Sequence, residues 1–313
     1  DPFADFTTSP EISQVFGEVL GLWAAVTWIG LGKPTPVLLI EAGPGRGTLM
    51  ADALRAIRQA VPDFAAALQV HLIETSPTLR AVQATRIPDA SWHESLDSVP
   101  ETPFVLLANE FLDALPIRQF VRRGQGWAER WVVDGVLEER PAEAGVAMEI
   151  WHDPAAPPQE GAIRELCEPA LAFVRSVAER LARRPGAALI LDYGPEHRMF
   201  GDSLQALAGG RPADPLAAPG TADLTAHVDF PALADAAVAA GAAAHGPVPQ
   251  GIFLARLGLF QRANRLARNQ SMTRAAAIME AARRLGEPDM MGRLFKALAL
   301  TGAGAAVPAG FEA

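Results

Sequence analysis

The stretch Glu41-Ala42-Gly43-Pro44-Gly45-Arg46-Gly47-Thr48 places one carboxylate directly before three glycines. Glycine lets backbone turn sharply and pass close to a ligand, because no side chain blocks the approach and a positive φ costs little. A dinucleotide site requires G-x-G-x-x-G, and here the sixth position of that pattern is Thr48, with Gly47 one residue early. Glu41 suits the cationic amino-acid end of S-adenosylmethionine better than it suits a pyrophosphate. The same glycines could alternatively form only a tight turn. Glu74 follows 27 residues after Gly47, where nucleotide-binding units present an acid to ribose hydroxyls. Its two oxygens accept from both hydroxyls, and its charge disfavours a 2′-phosphate. Taken singly it could as well be an ordinary surface Glu; the glycine turn before it favours the ribose role. Asn109-Glu110-Phe111-Leu112-Asp113-Ala114-Leu115-Pro116 then groups one amide and two acids. The plainer reading has Asn109 and Asp113 capping a turn and a helix, which accounts for one of them better than for the whole cluster.

Other chemistries find little support. His93, His152, His227 and His245 show no metal-ligand spacing and read as structural or surface groups, His227 with Asp229 being the first exception to consider. No Ser sits in a G-x-S-x-G elbow. Cys167, the one cysteine, lies within a predicted helix without a defined base; alone it excludes an intramolecular disulfide and any cysteine-rich metal site. With 36 acidic against 27 basic residues the formal charge is −9, so no field attracts a nucleic-acid backbone and a basic peptide or protein partner is favoured. The skew of the basic residues toward Arg, with Lys33 and Lys296 the only lysines, reads as composition bias. Neither Val19 to Leu31 nor Ala232 to Ala244 reaches the roughly 18 to 20 apolar residues of a membrane span, and no signal peptide is visible.

The elements that must position these residues alternate. Pro10 to Leu22 reads as a helix, capped by Ser9, with Ile12, Val15, Phe16, Val19 and Leu22 at helical spacing. Val37 to Ile40 is a short buried strand that feeds the glycine turn and a helix over Thr48 to Val61. Further strands fall at Val70 to Ile73, Ala90 to His93, Phe104 to Ala108 and Ala187 to Leu191, with a helix from Ser76-Pro77 to Gln83. Uninterrupted apolar strands between helices imply a parallel sheet covered on both faces. Arg118 to Arg122 and Ala128 to Val133 read instead as an inserted hairpin, extended by Val136 to Glu149. A helix is expected over Ile163 to Arg184, a long irregular connection over Gly194 to Thr225, and a helix over Phe230 to Ala240 capped by Asp229. Ala243 to Ala255 reads as closing strands, and Phe260 to Leu285 and Pro288 to Leu300 as helices.

These segments together resemble the MidA group of class I S-adenosylmethionine-dependent methyltransferases, a group that includes the mitochondrial complex I assembly factor that methylates an arginine. The resemblance rests on Glu41 to Leu49, His71 to Pro77, Asn109 to Val121, Ile190 to Gly194, Gly201 to Gln205 and Asp223 to Phe230. Two terminal signatures, Asp5 to Gln14 and Met291 to Lys296, complete it, although Ala4 stands where the pattern has Gly. It implies an α/β fold: a Rossmann-like methyltransferase sheet with an N-terminal helical lid, an inserted hairpin region and C-terminal helices. The expected division is 1–35 for lid and helix, 36–260 for the core with insertions near 117–160 and 194–228, and 261–313 for a C-terminal helical extension.

Cofactor contacts are expected from Glu41, Gly43, Pro44, Gly45, Gly47, Thr48, Glu74 and Ser76, with Trp92 and His93 at the adenine edge. Catalysis falls to Glu110 and Asp113, with Asn109 orienting. Thr8, Pro10, Glu11 and Gln14 would close over the cleft, and Asp192 is a reserve carboxylate. The implied cofactor is S-adenosylmethionine, leaving as S-adenosylhomocysteine, with no metal. The implied partner is a protein substrate, a complex I subunit or similar, in a bacterial cytoplasm (the mitochondrial matrix for eukaryotic relatives), with a homodimer open and no nucleic acid. Two other classes stand beside this one. A binding or assembly protein could use the same fold as a platform, and a nicotinamide oxidoreductase is disfavoured by the glycine spacing and by the lack of a lysine near Tyr193.

Overall fold

The computed structural model describes residues 8–143, 145, 157–217 and 219–312. Asp5 to Thr7, His152 and the far end of the hairpin extension lie outside them. The main sheet has seven strands in the order β13-β14-β9-β4-β1-β2-β3. Five are parallel: β1 (Val37–Ala42), β2 (Leu68–Ile73), β3 (Ser91–His93), β4 (Phe104–Asn109) and β9 (Gly186–Tyr193). β14 (Phe295–Gly302) runs antiparallel between β9 and β13 (Ala242–Pro249). All six residues of β1 and all six of β4 are buried, as strands covered on both faces require.

One face packs on α2 (Gln14–Gly30), α3 (Thr48–Ala60), and the C-terminal helices α8 (Gln250–Arg256), α9 (Leu259–Ala267) and α10 (Met272–Gly286). Phe16, Leu20, Trp23 and Phe253 are almost wholly excluded from water there, each contributing about 1.5–3 kcal/mol. The other face packs on α6 (Glu168–Arg183) and α7 (Phe230–Ala239) through Val174, Val177, Phe230 and Leu233. The apolar run of α2 is thereby explained. Gly17 and Gly21 bring it against α3 so closely that a Cβ on either would stand 2.7 Å from Asp52 or Ala53. Among the described residues no helix is long and apolar enough to cross a membrane.

Several expectations change. The first helix is broken at extended Ser13 into α1 (Ser9–Ile12) and α2. Thr8, not Ser9, is the N-cap of α1, and the Ser13 hydroxyl caps α2 by accepting from Val15 N–H. Ile163–Leu166 is not helical but a strand, β8, that joins β5 (Arg118–Arg123), β6 (Gly126–Val133) and β7 (Val136–Pro141) in an inserted sheet of order β7-β6-β5-β8. The Gly194 to Thr225 connection holds a small sheet, β10 (Gln205–Ala208), β11 (Arg211–Ala213) and β12 (Asp223–Thr225). After β13 the chain turns into α8 rather than a further strand. Pro288 to Leu300 is one short turn of helix, α11 (Met291–Leu294), and then β14, so the chain beyond residue 260 supplies a central strand as well as helices. α4 (Pro62–Ala67) and α5 (Pro77–Arg86) complete the set.

Candidate active site

The strand order reverses between β1 and β4, and open α/β sheets bind ligands outside the carboxyl ends of their strands at such a point. Glu41 sits at that end of β1 and is 2% exposed. One of its oxygens is held by the backbone of Met50 in the first turn of α3, where the helix N-terminus favours negative charge. The other, Oε2, is buried without a partner, and burial pushes the carboxyl up to about 8. Such a group is completed by a cation with hydrogen to donate, which is what the ammonium of S-adenosylmethionine offers. Gly43 and Gly45 follow with φ of +64° and +51°, and the space a Cβ of Gly45 would fill is open. Gly47, at φ +77°, is the N-cap of α3 and Thr48 its first residue. These residues fit the cofactor.

Glu74 leaves the end of β2 with its carboxylate already aimed. Its Oε1 accepts from Ser76 N–H at 2.8 Å and its Oε2 from Gln83 Nε2 at 3.2 Å. Ser76 thus orients Glu74, and its hydroxyl caps α5 by accepting from Leu79 N–H. Gln83 is fully buried and absent from the sequence-derived set. Its amide nitrogen also donates to Gly45 O at 2.8 Å, and its Oε1 accepts from Trp92 Nε1 at 2.8 Å. One side chain therefore joins the glycine turn, Glu74 and Trp92, a convergence visible only once α5 is packed. His93 does not share the Trp92 side. Its Nε2 lies 2.8 Å from His71 Nδ1 and its Nδ1 3.0 Å from Ser98 Oγ, so both ring nitrogens are engaged within the protein rather than offered to an adenine edge. Burial, and then the neighbouring His93, brings His71 down to about 4.

At the end of β4 the structure brings Asn109, Glu110 and Asp113 together, with Asp192 set apart from them. Glu110 adopts φ +50°, a left-handed conformation costing a non-glycine residue about 1–3 kcal/mol and found preferentially at functional sites. Its Oε1 accepts from Ser9 N–H at 2.7 Å and Asn109 Nδ2 at 3.1 Å. Burial raises its carboxyl. Asn109 Oδ1 and Asp113 Oδ1 are both buried and unpartnered. Burial and then the Glu110 charge push Asp113 up to about 7. Asp192 is the exception. Its Oδ2 accepts from the backbone N–H groups of Phe111, Leu112 and Asp113 at 2.9–3.2 Å, and its Oδ1 from Tyr193 N–H at 2.9 Å. It is the fastener of the 111–113 turn, not a spare acid for substrate, although burial and Asp113 raise its carboxyl too.

The N-terminal segment spans this opening. Glu11 accepts from the Thr48 hydroxyl, which in turn accepts from Arg86, while Ser9 holds Glu110. Thr8 serves through its backbone carbonyl, which accepts from Glu11 and Ile12 N–H. No polar contact brings Pro10 to the site, and Gln14 turns away to Glu18 at 3.2 Å, where Arg55 and Arg262 also converge. Tyr193 has a lysine nearer than sequence distance suggests, because Lys296 pairs in register with Asp192. That amine is spent on the carbonyls of Arg293 and Leu294 at 2.5 and 3.2 Å, so no Tyr-Lys proton relay forms. Among the described residues no cluster of three or more His, Cys, Asp or Glu could hold a metal ion.

Residues 19–248 match a family described as "Putative S-adenosyl-L-methionine-dependent methyltransferase". The mouse mitochondrial protein arginine methyltransferase NDUFAF7 is 36% identical over 288 residues, which cover 82% of this chain and 64% of that protein. The Drosophila melanogaster homolog is 36% identical over 337 residues, covering 95% and 74%. The chain therefore spans a little under two thirds of the mouse relative's length and about three quarters of the fly relative's. Two crystal structures from Burkholderia thailandensis share the fold over 99% of the chain. One, bound to S-adenosyl-homocysteine, has a TM-score of 0.79 at 28% identity and is covered over 80% of its length. The other has a TM-score of 0.82 at 32% identity and is covered over 84%.

Proposed function

This chain belongs to the family of S-adenosyl-L-methionine-dependent methyltransferases, and we propose that it methylates an arginine side chain of a protein, a respiratory complex I subunit or one like it. The observation that carries the arginine assignment is the trio at the end of β4: Glu110 with two buried, unpartnered oxygens, Asn109 Oδ1 and Asp113 Oδ1, beside it. A guanidinium has five N–H donors in a fixed fork and is matched by several acceptors close together. The relatives named as protein arginine methyltransferases support the same choice.

When bound, the cofactor supplies a methyl group on a positively charged sulfur. Glu41 would hold its ammonium and Glu74 its ribose hydroxyls, leaving the chain to align the attacking nitrogen and exclude water. Arginine resists attack because its guanidinium stays protonated and its charge is delocalised. Glu110 and Asp113 would accept from two of its nitrogens and localise the positive charge there. As the new N–C bond forms, the old C–S pair returns to sulfur and the departing nitrogen proton passes to Asp113, whose carboxyl near 7 both takes and returns it.

The test is transfer of labelled methyl groups into a lysate of cells lacking this protein, followed by mass mapping. Methylated arginine is expected; label confined to any other residue type overturns the reading. Glu110→Gln should lose transfer while its cofactor affinity stays within about threefold, and full turnover by that variant removes Glu110 from the mechanism.

A further inference from the structure

Tyr193 is the chain's single tyrosine and the last residue of β9. Its half-buried ring stands edge-on to His227 at 5.4 Å and tilted on Phe295 at 5.6 Å. The backbone fixes this corner: Val228 N–H donates to Tyr193 O at 3.0 Å, and Ala226 N–H to Asp113 O at 3.0 Å. Between them the Thr225 side chain pairs with the Tyr193 hydroxyl, so the phenol is occupied and offers its ring rather than a proton. The segment that carries His227 is therefore tied to Asp113, whose Oδ1 is buried and unpartnered. On its open side His227 is exposed and borders a cleft of about 180 Å3 with Glu165, Ser203 and Asp229. Burial holds the imidazole below its ordinary value, which leaves it uncharged when a cation approaches at neutral pH.

Resting on the arginine reading, we propose that Tyr193 and His227 form an aromatic seat for the substrate's guanidinium beside Asp113, with Tyr193 the residue that determines specificity. A planar guanidinium stacks on an aromatic face while its edge donates to carboxylates, and a lysine ammonium has neither the plane nor the fork. Acids alone would draw any cation; ring and acids together select arginine. The 180 Å3 cleft is the side from which the substrate chain enters.

The experiment measures initial labelling rates against increasing amounts of the same lysate, with cofactor affinity measured separately by equilibrium dialysis. Tyr193→Phe keeps the ring and should hold the half-saturating lysate concentration within about twofold. Tyr193→Leu removes the ring and should raise it about tenfold, with cofactor affinity within about twofold in both, as a desolvated cation–π contact implies. A Tyr193→Leu enzyme that saturates like wild type overturns the seat, as does one whose cofactor affinity falls by the same factor. Should that variant not fold, exposed His227→Leu serves instead: a rise of about threefold supports the seat and an unchanged value overturns it. Wild-type enzyme that labels no arginine defeats the arginine reading and the seat together. Arginine labelling indifferent to Tyr193 defeats the seat alone.

Discussion

Glu41 is a buried acid with one carboxylate oxygen, Oε2, left without a partner. Its carboxyl rises from 4.5 to about 8, so between those values the folded chain holds a proton that the unfolded chain has lost. Stability without cofactor therefore falls as pH rises from about 4.5 to about 8. Glu41→Gln should make that slope shallower in a series of melting temperatures against pH, the rest belonging to Asp113 and its raised neighbours, and should weaken cofactor binding about tenfold or more, since a charge-assisted hydrogen bond is lost. An unchanged slope would show that Glu41 is not the titrating group. The sequence alone discloses Glu41, Glu74 and the Asn109 to Asp113 cluster because each ends a short apolar strand, and strand ends are readable. Asp192 ends a strand too, yet local sequence cannot tell an acid facing a ligand from one saturated by four backbone N–H groups. Tyr193 was visible only as a residue lacking a lysine, because its neighbours His227 and Phe295 arrive from distant segments.

At the scale of elements, α5 does more than connect β2 to β3. Through Gln83 it braces the glycine turn, Glu74 and Trp92 at once. Gln83→Leu removes those bonds inside a closed space, leaving Gly45 O, a Glu74 oxygen and Trp92 Nε1 short of partners. A loss of about 2–4 kcal/mol is expected, with weaker cofactor binding, both measurable by denaturant titration and calorimetry. Unchanged stability would mean that water or a neighbour replaces the amide. The misread elements share one cause. Phe295-Lys296-Ala297-Leu298-Ala299-Leu300 is built from strong helix formers, but β9 and β13 both offer unpaired edges and burial on two faces, and pairing overrides propensity. Ile163–Leu166 likewise leaves the expected helix because β5 lies open beside it. Wholly buried apolar strands flanked by turns, such as β1 and β4, are legible because nothing competes for them.

For the whole molecule, the consequence is that the end of the chain completes its middle. A chain ending at Leu294 would leave β9 with a bare edge and β13 without a partner. It is expected to be insoluble or to lack cooperative unfolding, as circular dichroism on heating would reveal; a folded, cooperative product would show that the five parallel strands suffice alone. The acidic balance of −9 belongs to this scale as well. Many of the acids near the inserted sheet are neutralised by arginines, as in Arg118 with Glu129 and Glu168, Arg123 with Glu139, and Arg130 with Asp202, so the formal charge overstates the field at that end of the molecule.

The bridge made by the N-terminal segment bears on the order in which molecules could come and go. Glu11 is fastened to Thr48 above β1 and Ser9 to Glu110 above β4, so the segment spans the gap between those two strand ends. Whatever occupies that gap has to enter before the strap fastens and can leave only after it lets go. Under the proposed methylation, a small molecule bound beneath this strap would enter first and leave last.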